Sequence, residues 1–193
     1  MTVEVKTLFT CDYVTGCLEN IDTQSILQMV LRKYHAKRNM SSDPSSIRAE
    51  DIRIDFNKDI QKLAQELCAI WKTHRDQDIE LCWNTSIKED PNTAAWAVVH
   101  SKGEMTNLHS HESSHNFESG AHISSAFWVQ CPPGSGDFIF QYKPNPYIVK
   151  QEEISPTVGH FAIFDSTIPH FVTKNCTDEL RVVISMNFKF VEL

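Results

Sequence analysis

Two periodicities divide the chain. Between Ile21 and Trp71 apolar residues recur at helical spacing, whereas beyond Asp76 they come in short runs that suit strands. In IDTQSILQMVLRKYHAKRN, the side chains of Ile26, Leu27, Val30, Leu31 and Tyr34 fall on one face. Asp22 precedes them, where a carboxylate can accept the free N–H groups of a first helical turn. A loop around Pro44 follows. Phe56, Ile60, Leu63, Leu67 and Trp71 then form a second stripe and predict a helix beginning near Asp55. Both stripes read as packing surfaces. Ahead of them, Val3 to Phe9 alternates and predicts a strand.

After Asp76 the runs are IELCW, AWAVVH, ISSAFWVQ, DFIFQY, HFAIFD, HFVTKN and LRVVISMNFKF. Turn signals separate them: EDPN, PPGSG, KPNP and SPTVG. Short strands with turn punctuation predict a barrel or sandwich. No repeat or low-complexity tail is present. The expected plan is one domain over residues 1–193, with 1–77 as helical support and 78–193 as the β core.

Composition trims the functional choices. The net charge of −7 argues against a general nucleic-acid or anionic-membrane binder. No segment reaches the roughly 20 apolar residues of a membrane helix, and the first residues lack a signal-peptide layout. Six scattered cysteines without a C-x-x-C pair read as reduced thiols, which predicts a cytoplasmic protein.

The chemistry concentrates in GEMTNLHSHESSHNFESGAHISSAFW, which holds His109, His111, His115 and His122, four of the nine histidines. If LHSH lies on a strand, His109 and His111 point to one face and can share a divalent metal. A third ligand must come from elsewhere, and His170, in IFDSTIPHFV, is the best candidate. His115 and His122 read as loop residues; His35, His74, His100 and His160 read as structural or surface residues. In LRVVISMNF, alternation places Val182, Ile184 and Met186 on one side and Arg181, Val183, Ser185 and Asn187 on the other. A guanidinium is costly to bury without an anion and binds a carboxylate two-pronged. Asn187 reads as a backbone anchor, and Phe127, Trp128 and Phe140 as core.

The ordered set WAVVHSKGEMTNLHSH (Trp96 to His111), ISSAFWV (Ile123 to Val129), PTVGHFAIFDSTIPH (Pro156 to His170) and RVVISMN (Arg181 to Asn187) resembles the iron(II)- and 2-oxoglutarate-dependent oxygenases. More narrowly, it is similar to a group of these found in bacteria and in viruses of marine bacteria. The resemblance covers roughly the last hundred residues. It implies a mainly β double-stranded β-helix, a cupin-like jelly-roll, with the N-terminal helices packed on one sheet. It also implies Fe(II) as cofactor, 2-oxoglutarate and O2 as cosubstrates, and a hydroxylase-type outcome. The substrate class stays open: an amino acid, a peptide or protein side chain, or a small metabolite. Metal ligands would be His109, His111 and His170; Arg181, helped by Ser185 and Asn107, would take the far carboxylate of 2-oxoglutarate.

Three departures from the family pattern stand out. His111 occupies the middle ligand position, where relatives carry Asp or Glu; Glu112, next door, is the alternative ligand if the strand bulges. The link from Glu112 to His122 is longer than usual and could serve as a substrate lid. Val183 stands where many relatives have Ser. Two other readings use the same histidines: a cupin-type three-histidine dioxygenase without 2-oxoglutarate, and a non-catalytic metal- or sugar-binding jelly-roll. Arg181 favours the oxygenase over the cupin-type reading, and the binding module predicts no oxygen consumption. Three histidines also suit catalytic zinc, but the order of the other motifs makes zinc hydrolysis less attractive.

Overall fold

The structure, a computed structural model, describes residues 12–40, 50–82, 94–111 and 121–191. The strand expected at residues 3–9, the loop around position 44, the turn at 89–92, and residues Glu112 and His115 lie outside the described residues.

Both expected helices are present. Helix α1 runs Thr23–Met40, and the Ser25 N–H donates to Asp22 Oδ1 at 2.9 Å, so Asp22 caps it. Helix α2 runs Lys58–Arg75. Its cap is Asn57, two residues later than the expected start, because the Asn57 side chain accepts from the Asp59 and Ile60 N–H groups at 3.0 Å each. The Ser25 hydroxyl donates to Asp59 at 2.7 Å and ties the two helix starts together. The predicted stripes are the buried faces: Ile26, Val30, Ile60, Leu63 and Leu67 have no exposed surface.

The strands are β1 (Tyr13–Cys17), β2 (Glu50–Arg53), β3 (Ile79–Leu81), β4 (Ala95–His100), β5 (Thr106–His109), β6 (Ile123–Gln130), β7 (Phe138–Asn145), β8 (Ile148–Ile154), β9 (His160–Asp165), β10 (His170–Val172) and β11 (Arg181–Phe190). Each of the seven expected β runs contributes a strand. Strands β1, β2 and β8 were not expected. The first third is therefore not helical throughout: β1 and β2 flank the larger sheet, in the order β1-β9-β6-β11-β4-β2, with β3 also paired to β11. The smaller sheet has the order β5-β10-β7-β8, and the pairings are antiparallel. These facing sheets form a double-stranded β-helix.

The larger sheet buries both faces. One packs on the helices through Ala97, Val99, Phe127, Ile163, Val182, Ile184, Met186 and Phe188. The other meets the smaller sheet through Ala126, Trp128, Phe138, Phe140, Phe164 and Val183. Central β6 is thus buried along nearly its whole length, which is why ISSAFWV reads as a continuous run. Phe127, Trp128 and Phe140 are core, as expected.

The turn chemistry also differs in one place. KPNP is not itself the turn, because β7 continues to Asn145 with a register shift past Tyr142. Asn145 Oδ1 accepts the Tyr147 N–H at 2.9 Å and closes the hairpin one step later. In PPGSG, Gly136 has φ +100°, and a Cβ there would strike the Thr173 main-chain oxygen, so only glycine fits. Among the described residues, no helix is long and apolar enough to cross a membrane.

Candidate metal centre

Strand pairing assembles the histidines. His170 is the register partner of His109 across β10 and β5, and of Phe140 across β10 and β7. Strand β5 ends at His109, so His111 lies just past it rather than on the strand. There its N–H donates to the Ser166 carbonyl at 2.9 Å. The imidazoles still converge. Ring centroids lie 5.0 Å apart for His109 and His111, 4.3 Å for His109 and His170, and 5.0 Å for His111 and His170. One nitrogen from each falls within 4.8 Å of the others, and this is the one such group among the described residues.

The outer nitrogens decide what the inner ones can do. His109 Nδ1 is 2.8 Å from the Asn107 carbonyl, and His170 Nδ1 is 2.9 Å from the Ile168 carbonyl. His111 Nδ1 is 2.8 Å from Asn187 Oδ1, with Ser124 Oγ at 3.1 Å. A carbonyl oxygen only accepts, so each Nδ1 carries a proton, and in the neutral ring Nε2 is left with a lone pair. His109 Nε2 and His111 Nε2 stand 3.0 Å apart, a repulsive arrangement for two lone pairs that a cation between them relieves. Burial pushes His170 down to about 3 and lowers His111, so both are neutral near pH 7. Three imidazoles whose inner nitrogens converge, with room beside them, fit a divalent transition metal.

The sheet face continues the site. A cavity of about 390 Å³ is lined by all three histidines together with Asn107, Arg181 and Ser185. Every site residue expected from the sequence and described in the structure therefore borders one space. Trp96 and Val98 of β4 line it from one side, and Phe138 and Phe164 from the other. Arg181 is 1% exposed, and its Nε and Nη2 have no hydrogen-bond partner. Its third nitrogen, Nη1, is 3.4 Å from His100 Nδ1. Burial lowers the Arg181 pKa to about 10, so the group stays charged. A buried cation that borders a cavity and has two unpartnered nitrogens could hold a carboxylate.

Two residues went unrecognised in the sequence reading. Asn187 is more than a backbone anchor: its side chain holds the His111 ring and accepts from Ser124 Oγ at 2.9 Å. Alternation already placed it on the face of Arg181 and Ser185, which was the available signal. His100 is neither at the surface nor remote, but fully buried in the cavity wall beside Arg181. Nothing in its sequence neighbourhood marks it out. His122 stays apart from the centre, and its Nδ1 accepts the Phe190 N–H at 3.0 Å.

Comparison with known proteins agrees with this architecture. Residues 94–187, which hold all of these candidate ligands, match the family model described as "Putative 2OG-Fe(II) oxygenase", whose cofactors are Fe(II) and 2-oxoglutarate. No curated protein matches by sequence. Among solved structures, a prolyl-4-hydroxylase from Pseudomonas putida is 11% identical, with 93% of each chain covered and a TM-score of 0.60. HygX from Streptomyces hygroscopicus, solved with nickel and 2-oxoglutarate, is 11% identical over 95% of this chain and 85% of its own, with a TM-score of 0.62. AviO1 from Streptomyces viridochromogenes Tue57 is 10% identical over 94% and 91%, with a TM-score of 0.66. At these identities the likeness is one of fold.

Proposed function

From a core whose residues 94–187 match the 2OG-Fe(II) oxygenases, we propose that this protein is an Fe(II)- and 2-oxoglutarate-dependent dioxygenase that hydroxylates its substrate. One observation carries the reading: the unpartnered Nε and Nη2 of Arg181 share a cavity with three convergent histidine nitrogens. A metal site alone needs no buried guanidinium with a bare edge; a site that must also hold a dicarboxylate does.

His109, His111 and His170 would hold the metal. Asn187 and the carbonyls of Asn107 and Ile168 keep the three rings in the tautomer that can bind it. Arg181 takes the far carboxylate of 2-oxoglutarate through two parallel N–H donors, and Ser185 and Asn107 border the same space. Val183 supplies no hydroxyl at its position, so the guanidinium carries more of that recognition. Trp96, Val98, Phe138 and Phe164 keep water from the reacting centre. The bound metal and cosubstrate supply oxidative decarboxylation to succinate and CO2, coupled to oxidation of the substrate by O2.

The substrate is an amino acid, a peptide or protein side chain, or a small metabolite, and residues 1–193 act as one functional unit. The setting we propose is the cytoplasm, where ferrous iron and free thiols such as Cys82 keep their reduced forms. A specific residue favours a second reading. His111, in place of a carboxylate, makes the triad that of a cupin-type dioxygenase, which would consume O2 without 2-oxoglutarate.

The test is to follow O2 uptake and succinate together in Fe(II)-loaded protein supplied with 2-oxoglutarate. Succinate formed in step with O2, and lost in Arg181→Ala, is the expected result. Uptake without succinate would favour the cupin-type reading, and no uptake a binding module.

A further inference from the structure

We infer that His100 is a positioning residue that orients Arg181 so that a single edge of its guanidinium faces the cosubstrate, an inference that rests on the oxygenase reading above. An arginine can grip a carboxylate two-pronged through its end pair, Nη1 and Nη2, or through its side pair, Nε and Nη2. Here His100 Nδ1 lies 3.4 Å from Nη1 and occupies one of its two N–H groups, so the end pair is already partly engaged. The two nitrogens left without partners are Nε and Nη2, the side pair.

The imidazole is built into this role from both directions. An arginine nitrogen only donates, so Nδ1 must be the acceptor and Nε2 must carry the proton. Nε2 sits 2.8 Å from Thr106 Oγ1, which takes that proton in a hydrogen bond. The main chain is fixed as well. His100 and Arg181 are register partners across β4 and β11, and Asn175 Nδ2 donates to the His100 carbonyl at 3.0 Å and to the Glu179 carbonyl at 2.8 Å. Both His100 and Asn175 are fully buried. The ring therefore cannot swing, and neither can the guanidinium resting on it. Burial and the neighbouring Arg181 charge both hold His100 neutral, so it keeps its acceptor lone pair. The chain Thr106, His100, Arg181 thus runs from strand β5, which carries His109, to the anion-binding end of the cavity.

The role predicts a split between affinity and chemistry. In His100→Ala, the KM for 2-oxoglutarate rises about tenfold to thirtyfold, as expected for loss of a hydrogen bond to a charged group. The kcat at saturating 2-oxoglutarate and the Fe(II) affinity change by less than about threefold, because the metal ligands are untouched. His100→Gln, which keeps a neutral acceptor, recovers most of the affinity. Thr106→Val shifts KM in the same direction by less. Anaerobic calorimetric titration of the metal-loaded proteins with 2-oxoglutarate gives the same ranking without turnover. An unchanged affinity in His100→Ala overturns the inference. So does a joint collapse of kcat and Fe(II) affinity, or a Gln variant no better than Ala. Failure of the wild type to bind 2-oxoglutarate at all would instead remove the oxygenase reading, and this inference with it.

Discussion

The two faces of strand β11 do opposite jobs. On one, Val182, Ile184, Met186 and Phe188 are fully buried against the helices. On the other, Arg181, Val183 and Ser185 line the cavity, and Asn187 holds a histidine. The helix-side face contains no polar group and gains from every methylene it removes from water. The cavity face buries a guanidinium with two unsatisfied donors, an expense in folding free energy. Neighbouring residues on one strand thus separate stability from chemistry, because successive side chains point to opposite sides. The same pleat makes the division fragile, since a one-residue slip would exchange the faces.

Substitutions on each face can break or sharpen this contrast. The largest effect belongs to the cavity side. His170→Ala removes the most buried of the three ligand candidates, and Fe(II) binding by calorimetry, with any 2-oxoglutarate turnover, should fall below detection. A variant retaining full metal affinity would remove His170 from the site. Next comes the helix side. Leu67→Ala empties a fully buried position and should cost about 2–5 kcal/mol in chemical denaturation. Iron affinity per folded molecule should stay as it was, and a large loss there would mean that the faces are coupled. Asn187→Ala tests the boundary. It leaves the ligands in place but frees the His111 ring, and should weaken metal affinity or turnover roughly 10–100-fold.

The smallest effect is a slope with pH. His100 is held neutral down to about pH 3 by burial, whereas in the unfolded chain it takes up a proton below its ordinary value of 6.5. Its depressed value therefore carries no penalty above pH 6.5. As pH falls from 6.5 toward 3, the unfolded state binds the extra proton and stability declines by roughly 1 kcal/mol per pH unit. Denaturant titrations of metal-free protein between pH 7 and 4 should show this contribution on top of one of the same sign from buried His170, and the total slope should be shallower in His100→Gln.

The helices were legible because their apolar stripes are long and, for the first, because Asp22 marks its start; the Asn57 cap of the second emerged only in the structure. The parity of β11 was legible because strict alternation has one interpretation. Strands β1, β2 and β8 were not, since short edge strands carry little pattern: in β2 only Ile52 is buried among its described side chains, and β8 is exposed along nearly all its length. At the site, the H-x-H pair and Arg181 announced themselves by type and spacing. His111 nevertheless lies beyond the strand expected to carry it, held by a bond to the Ser166 carbonyl.

Sequence alone therefore determined the two helices and the strongly patterned strands, and which residues each would turn inward, because periodicity and capping are local and depend on a few neighbouring side chains. Tertiary structure decided which of nine similar histidines meet. It joined His109 to His170 across a strand pairing of 61 positions, set Asn187 behind His111, and sealed His100 against Arg181. Those choices depend on burial and on distances through space, which raise or lower the cost of a lone pair, a proton or a charge by amounts that no single stretch of chain encodes.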